Sequence, residues 1–434
     1  MAEVIPPLSL PAQRRVLPGG LLHRPSDHDT ESDFSGYERW QDPSEAEFEL
    51  PSLPQPDILQ QPSASQQTQE SGKQLEPTQP SHAKDITQEP LRPSSSSSEA
   101  ARVFHGHKLG VKMATFTTDA RHVLTASYDH SARLFDVESG ACKQVFQGHE
   151  GAVLGASASP DLRYVATCSA DRTAKVFDAQ TGNCISTLAG HSAHIATVAF
   201  APEGGRVLTA SSDKTARLFS ITNGECLSVC RGHRASLYMA SFSPDGNKVL
   251  TASHDWTAGL FDAPTGSCKQ TFVGHQAHVY SAVFSPDGAK VLTASGDGTA
   301  KLFQVGVQDA ELTLAKQGDR VYMAIFAPCG SKALTASGDG LARLYDLVSG
   351  ACLSVLEGGR EMAVHSAAFS SNGDQIVTAG DDGVARVYDT KTGLCKRTFE
   401  GHGEHLYMAA FSPDSSFVLT AGADRSAKLF RTAA

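Results

Sequence analysis

The chain has no run of some eighteen apolar residues, and Pro6, Pro7 and Pro11 interrupt its first residues. The first absence excludes a membrane-spanning helix, and the prolines stand where a secretory leader needs a continuous apolar stretch. Both point to a soluble protein of the cytoplasm or nucleus. Six of the nine cysteines (Cys142, Cys184, Cys226, Cys268, Cys352, Cys395) recur at one position of a repeat. That spacing suits small buried thiols in a reducing compartment better than disulfides or a zinc site. With no metal-ligand cluster and no nucleophile elbow, neither a metal nor a cofactor is expected.

Charge is distributed unevenly. Residues 1–100 hold 16 acidic and 7 basic residues, a formal charge of −9, whereas residues 101–434 hold 31 and 30, a charge of −1. A near-neutral main body offers no electrostatic reason to expect nucleic acid or an anionic membrane as partner. The first hundred residues are rich in Pro, Ser, Gln and Glu, lack a sustained period of 2 or 3.6, and end in the serine run Ser94 to Ser98. Such a segment buries too little apolar surface to offset its chain entropy and is expected to be a disordered acidic tail. Within it, the acidic and aromatic stretch from Asp33 to Trp40, with Phe34 and Tyr37 and followed by Phe48 and Leu50, reads as a chance cluster or as a short segment that orders on a partner.

From residue 101 onward the chain repeats. Asp129, Asp171, Asp213, Asp255, Asp297, Asp339, Asp382 and Asp424 follow one another at 42 residues, with one step of 43. Each lies in the same local sequence, as in Leu124-Thr125-Ala126-Ser127-Tyr128-Asp129 and Leu292-Thr293-Ala294-Ser295-Gly296-Asp297. Within a unit, four short β-branched and apolar runs are separated by turn residues such as Ser243-Pro244-Asp245-Gly246 and Thr265-Gly266, the pattern of a four-stranded antiparallel sheet. One such sheet leaves an apolar face wet, so eight must stack and close. The eighth unit stops after a third strand at Leu429-Phe430, while Arg102-Val103-Phe104-His105-Gly106-His107 matches the fourth-strand sequence Gln144-Val145-Phe146-Gln147-Gly148-His149. The segment at Val103 is therefore expected to complete the last sheet. The prediction is an all-β, eight-bladed propeller over residues 101–434.

The period, the Gly-His before the first strand and the Asp before the third resemble the WD40 repeat family over roughly residues 102–431. The resemblance implies a hydrogen-bonded set of the turn Asp, the His and a Ser or Thr of the second strand, ending at a Trp of the third. Carried over, the set of the first unit is His107, Ser127 and Asp129. Its His–Asp counterparts are His149 with Asp171, His191 with Asp213, His233 with Asp255, His275 with Asp297, and His402 with Asp424. In place of the Trp stand Phe135, Phe177, Phe219, Phe261, Phe303, Tyr345, Tyr388 and Phe430. Phe keeps the bulk but lacks the indole N–H, so the network should stop at the Ser. Units six and seven carry Gly318-Asp319 and Gly358-Gly359 instead of Gly-His, which leaves Asp339 and Asp382 without an imidazole and those blades looser. The irregular third-to-fourth connection from Gln304 to Glu311 is assigned to the sixth.

A His, an Asp and a Ser together suggest hydrolase machinery, but eight copies make a lattice of turn braces rather than one convergent site. The basic residue before Leu-Phe or Val-Tyr of strand three (Arg133, Lys175, Arg217, Lys301, Arg343, Arg386, Lys428) reads as a solvated edge rather than a phosphate belt. More informative is the residue after the first apolar residue of strand one: Lys112, Leu154, Ala196, Tyr238, Tyr280, Tyr322, His365 and Tyr407. By the resemblance these lie on the top rim of the central channel, with His194, His278, Arg320 and His405 two residues earlier and Tyr128, His254 and Asp381 before the turn Asp. Tyr, His and Arg gathered on one exposed face have the composition of a protein-binding hot spot; the alternative is that the tyrosines only pack in the channel mouth. The expected function is a non-catalytic, monomeric scaffold for protein or peptide partners. The alternative is a recognition or regulatory subunit: a ubiquitin ligase adaptor, a signalling scaffold or, by the similarity of its Gly-His and Thr-Gly-x-Cys pattern, an axonemal dynein assembly factor.

Overall fold

The structure, a computed structural model, describes residues 99–314, 317–358 and 362–432. The expectations for the acidic tail, its Asp33–Trp40 stretch and Gly359 fall outside the described residues. Among the described residues no helix is long and apolar enough to cross a membrane.

The first blade shows how the repeat sequence dictates its sheet. β1 (Arg102–Phe104) precedes it; the blade itself is β2 (Val111–Phe116), β3 (His122–Ser127), β4 (Ala132–Asp136) and β5 (Cys142–Phe146), paired antiparallel in that order. β3, with the sequence HVLTAS, is buried over its last five residues, because neighbouring sheets cover both of its faces. β5 lies outermost and is mostly open to solvent. The Ser-Pro-Asp-Gly connection forms a tight turn in which Gly246 takes φ 71°, and the Ser243 hydroxyl donates to Asp245. Seven further sheets repeat the arrangement.

Closure is visible in the packing. Eight apolar clusters fill the gaps between consecutive blades; Leu124, Ala126, Phe146, Val153 and Phe177 form the one between blades one and two. An open stack of eight sheets would have only seven such gaps. The eighth joins Leu419, Ala421 and Leu429 of the last blade to Val111, Val123 and Phe135 of the first, with Phe104 among them. β1 pairs with the strand Ala427–Arg431 in the register Arg102 to Leu429 and Phe104 to Ala427, and so supplies the missing fourth strand. The rings of Phe104 and Phe135 lie 5.2 Å apart across the seam. Phe146 and Phe177 repeat that contact at 5.4 Å one gap later, and Phe399 and Phe430 at 4.9 Å in the gap before the eighth blade.

Two expectations change. The irregular connection after Gln304 joins the strands Ala300–Gln304 and Ala310–Thr313 and so belongs to the fifth blade. The six repeated cysteines are not buried: Cys142, Cys184, Cys268 and Cys352 are exposed, and Cys226 and Cys395 partly so. They sit on the outermost strand, where one face of the sheet meets water. Each stands at a register shift of the ladder, as where Phe135 faces Cys142 while Leu134 faces Gln144, and each thiol lies close to the carbonyl two residues on, 3.4 Å for Cys142. The position favours a small side chain with a weak donor at a bulge rather than a core filler.

Replacing Phe104, 1% exposed in the seam, by Ala should cost about 3–5 kcal/mol in urea unfolding, as for any fully buried Phe. An unchanged unfolding midpoint would show that β1 does not close the ring.

Candidate interaction surface

Six of the eight turns are held by one device. His107 sits between β1 and β2, Asp129 in the turn between β3 and β4, and Thr125 on β3. His107 Nδ1 lies 2.9 Å from Asp129 Oδ2, and its Nε2 lies 2.7 Å from Thr125 Oγ1. The carboxylate also accepts from the backbone N–H of Lys108 and from the Ser131 hydroxyl at 2.6 Å. The Nδ1–H donates to the carboxylate, while Nε2 pairs with the Thr125 hydroxyl, which also lies 3.4 Å from the Arg133 carbonyl. The same arrangement joins His149 to Asp171 and Thr167, His191 to Asp213 and Thr209, and His233 to Asp255 and Thr251. It recurs at His275 with Asp297 and Thr293, and at His402 with Asp424 and Thr420.

The hydroxyl in the set is therefore that of Thr125, not Ser127. Ser127 Oγ instead donates to the Leu109 carbonyl and accepts from the Asp129 N–H, pinning the same turn from the other side. Burial works to raise the Asp129 pKa, but the hydrogen bonds from His107, Ser131 and Lys108 outweigh it and hold the carboxyl well below the usual range. Asp171 is lowered to about 2 by the same balance, with Thr173 and His149 as its strongest donors. Burial lowers the pKa of His149 and His191 despite their carboxylate partners.

The sixth and seventh blades lack the imidazole but not the brace. The residue 22 before Asp339 is Gln317, rather than either member of Gly318-Asp319, and its amide donates to Thr335 Oγ1 at 2.9 Å. Arg343 then bridges Gln317 Oε1 and Asp339 at 2.9 and 2.7 Å. In the seventh blade Arg386 pairs with Asp382 at 2.6 Å. A guanidinium fork takes over the imidazole's task, which removes the physical reason for expecting loose blades there. The basic row is likewise engaged elsewhere: Lys428 reaches Asp424 at 3.1 Å, and Lys175 and Lys301 bond Thr187 and Thr313 on the outer strand.

All eight variable first-strand residues occupy equivalent β-bulges. In β2 the register jumps between Val111 and Met113, leaving Lys112 outside the ladder, and the same jump skips Leu154, Ala196, Tyr238, Tyr280, Tyr322, His365 and Tyr407. A bulge releases one residue from pairing and redirects its side chain, here at the channel end that carries the braced turns. The aromatic ones form a continuous arc. Tyr238 and Tyr280 ring centroids are 5.2 Å apart, Tyr280 and Tyr322 5.7 Å, and Tyr322 and His365 5.3 Å. His365 Nε2 lies 2.7 Å from Asp381, whose pKa is lowered by that bond against burial and is also lowered by His405. His405 packs edge-on against Tyr407 at 4.8 Å, Tyr407 meets Tyr128 at 6.0 Å, and Lys112 Nζ stands 4.7 Å over the Tyr407 ring. At the other end of the arc, Tyr238 OH bonds His254 Nε2 at 2.9 Å, and His278 Nδ1 bonds the His254 carbonyl at 2.8 Å.

The arc thus runs from the fourth blade through the eighth to the first. Arg320 is exposed beside it, close enough to act on the Tyr322 phenol, whose pKa is raised by burial in spite of that charge. His194 lies apart, held to Ser212 Oγ at 2.7 Å, and only Leu154 and Ala196 occupy the bulges of blades two and three. The tyrosines are half-buried. They pack on one another in the channel mouth and still show a surface.

The opposite mouth of the channel went unread in the sequence. A cavity of about 730 Å³ there is lined by Phe200, Phe242, Phe284, Phe326 and Phe369 with Pro202 and Pro244. The signal was present as the repeated Phe-Ser-Pro, read only as a turn. Trp256, exposed on the braced end, was also missed. Among the described residues no group of three or more His, Cys, Asp or Glu is placed to hold a metal.

A closed ring of eight four-stranded blades with braced turns defines a class of repeat-built propellers. The chain belongs to the WD40 family (WD domain, G-beta repeat), whose repeats match residues 98–136, 140–178, 182–220, 224–262, 266–304, 350–389 and 393–431. The interval without a match, 305–349, holds most of the sixth blade, where Gln317 and Arg343 replace the imidazole. No curated protein matches the chain. Among solved structures, the computationally designed Ika8 protein is similar with a TM-score of 0.69 at 22% identity, covering 76% of this chain and 99% of that one; the likeness is one of fold.

The braces set an acid limit. Asp171 titrates at about 2 when folded against 3.8 ordinarily, so its stabilisation is complete above about pH 4 and is lost as the pH falls toward 2. The lowered pKa of His149 and His191 acts in the same direction below about pH 6.5. The melting temperature should stay level between about pH 7 and 9, decline below 6.5, fall most steeply between 4 and 2, and decline again above about pH 9, where burial holds the Cys168 and Cys230 thiols protonated against their ordinary value; calorimetry showing higher stability at pH 5 than at pH 7 contradicts this. Arg343→Ala should destabilise by about 1–3 kcal/mol by stranding Asp339 and Gln317, with Arg343→Lys recovering only part because it lacks the fork. Chemical denaturation of both variants gives the comparison.

Proposed function

We propose that this WD40 propeller is a non-catalytic scaffold that binds a protein or peptide across the aromatic arc of its braced end. The observation that carries the reading is the arc itself. Eight bulge positions are equivalent in backbone, yet tyrosine and histidine fill five consecutive ones, from Tyr238 to Tyr407, and the scaffold demands no particular side chain at any of them. Half-buried tyrosines held against one another give large contact area with little rotamer entropy left to lose, the property that makes such residues dominate interfaces. Burial raises the pKa of Tyr322 and Tyr407, so their phenols remain donors at neutral pH. The His–Asp sets are committed to the turns of their own blades, which leaves no activated nucleophile among them. A cytoplasmic or nuclear setting and a monomeric propeller remain part of this proposal.

The test is partner capture by the full-length chain, read by mass spectrometry and repeated with Tyr238, Tyr280, Tyr322 and Tyr407 all changed to Ala. The variant should lose at least tenfold of the captured partner with a melting temperature that still marks a folded ring. Capture unchanged in the variant, or lost instead with Phe242→Ser and Phe284→Ser at the opposite mouth, overturns the choice of face.

A further inference from the structure

The braced end of the propeller is divided by charge. At the tip of the turn after the braced aspartate, blades five to seven carry Gly298, Gly340 and Gly383, and blade four carries Trp256. The four consecutive blades eight, one, two and three carry Arg425, His130, Arg172 and Lys214 there, with φ of 67°, 68°, 72° and 72°. Only glycine adopts that left-handed conformation without strain, and a side chain kept in it points to a use outside the turn. All four side chains are exposed, and with the described residues none of them makes a hydrogen bond or an ion pair. His130 stands close enough to the second blade to act on its His149.

Behind the tips are two arginines that the fold leaves uncommitted. On strand three, Arg343, Arg386 and Lys428 reach the turn aspartate, and Lys175 and Lys301 bond the outer strand. Arg133 and Arg217, in blades one and three, do neither, and the Nε of each has no acceptor among the described residues. Beside Arg133 opens a hollow of about 190 Å³, walled also by Lys108, His130 and Gln147. Asp129 lies in its wall, but that carboxylate is already taken by His107, the Lys108 N–H and Ser131.

The exposed acids of this end lie elsewhere. In blades one to three the turn aspartates are committed to their histidines, which leaves Glu150, whereas Asp319, Glu357, Asp381, Glu400 and Glu404 are exposed on blades six to eight. The near-zero charge of residues 101–434 conceals this separation.

We infer that the braced-end surface of blades one to three binds an extended acidic segment of a protein partner, whose carboxylates meet the cations of successive blades. A single exposed ion pair contributes little, so the contact depends on several together and weakens with salt. The spacing favours a polypeptide over nucleic acid. A nucleic-acid strand carries its charge without interruption and would run onto Glu150 or the acidic blades, whereas a polypeptide can set its acids one blade apart with neutral residues between. The surface takes in the second and third blades, which the tyrosine arc leaves out, and it does not depend on the arc.

Fluorescence anisotropy of a fluorescein-labelled peptide of alternating Asp and Glu, titrated with the full-length chain, tests this. Binding should saturate, fall as salt is raised, and be at least tenfold weaker for the Asn and Gln peptide of the same length. The pair Arg172→Glu and Lys214→Glu, on exposed turn tips, should lose at least tenfold in affinity at an unchanged melting temperature. Lys248→Glu with Lys332→Glu makes the same change of charge at the opposite mouth and should leave binding as it was. No binding of the acidic peptide, an equal loss in the two pairs of variants, or equal affinity for oligothymidylate of the same charge overturns the inference. The quadruple tyrosine variant should bind the peptide normally; loss there assigns the peptide to the arc and also overturns it.

Discussion

Each blade has two apolar faces and no means of covering them alone, and every other feature of the molecule answers to that constraint. The first strands, at the channel, and the second strands, buried on both sides, can be stable only between neighbours. Eight gaps for eight blades is the geometric expression of this requirement. The phenylalanines of strand three belong to it too. They supply bulk to the gap without an indole N–H to satisfy, and the hydrogen-bonded set accordingly ends at threonine. Two blades carry a tyrosine instead, Tyr345 and Tyr388, and the Tyr388 hydroxyl donates to the Glu357 carbonyl.

Because packing fixes the ring, the turns can be braced in more than one way. Imidazole does so in six blades and guanidinium in two, the latter with a glutamine as intermediary in the sixth. Both solutions hold a carboxylate at a turn, one through an imidazole and the other through a guanidinium. They differ in their answer to acid: burial lowers the pKa of the His149 and His191 imidazoles, while an arginine keeps its charge throughout.

Period, phase and closure were legible because they depend on spacing alone, and the offset of Arg102–Phe104 against Leu429 needs no side-chain detail. What failed to be legible turned on direction. Thr125 and Ser127 are two apart on one strand and face the same side, so composition does not tell which meets the imidazole. Gln317 keeps the spacing of 22 to Asp339 that the histidines keep to theirs, a signal independent of the Gly-His pattern. For the cysteines, residue type does not report burial, because they stand on the one strand with an open face. The bulges, which make the rim positions equivalent, leave no trace in sequence beyond the variability they permit.

The seam joins residues that are about 330 positions apart in the chain. On a ribosome adding about 5–20 residues per second, Phe104 waits tens of seconds before Ala427 exists to receive it. During that interval the first blade has one greasy flank uncovered, and the nascent protein is an open arc with a sticky edge at either end. The ring can therefore be sealed only once Ala427–Arg431 has been made, and whatever shields the Phe135 side until then, chaperone or chance, decides how many copies become discs rather than chains of discs.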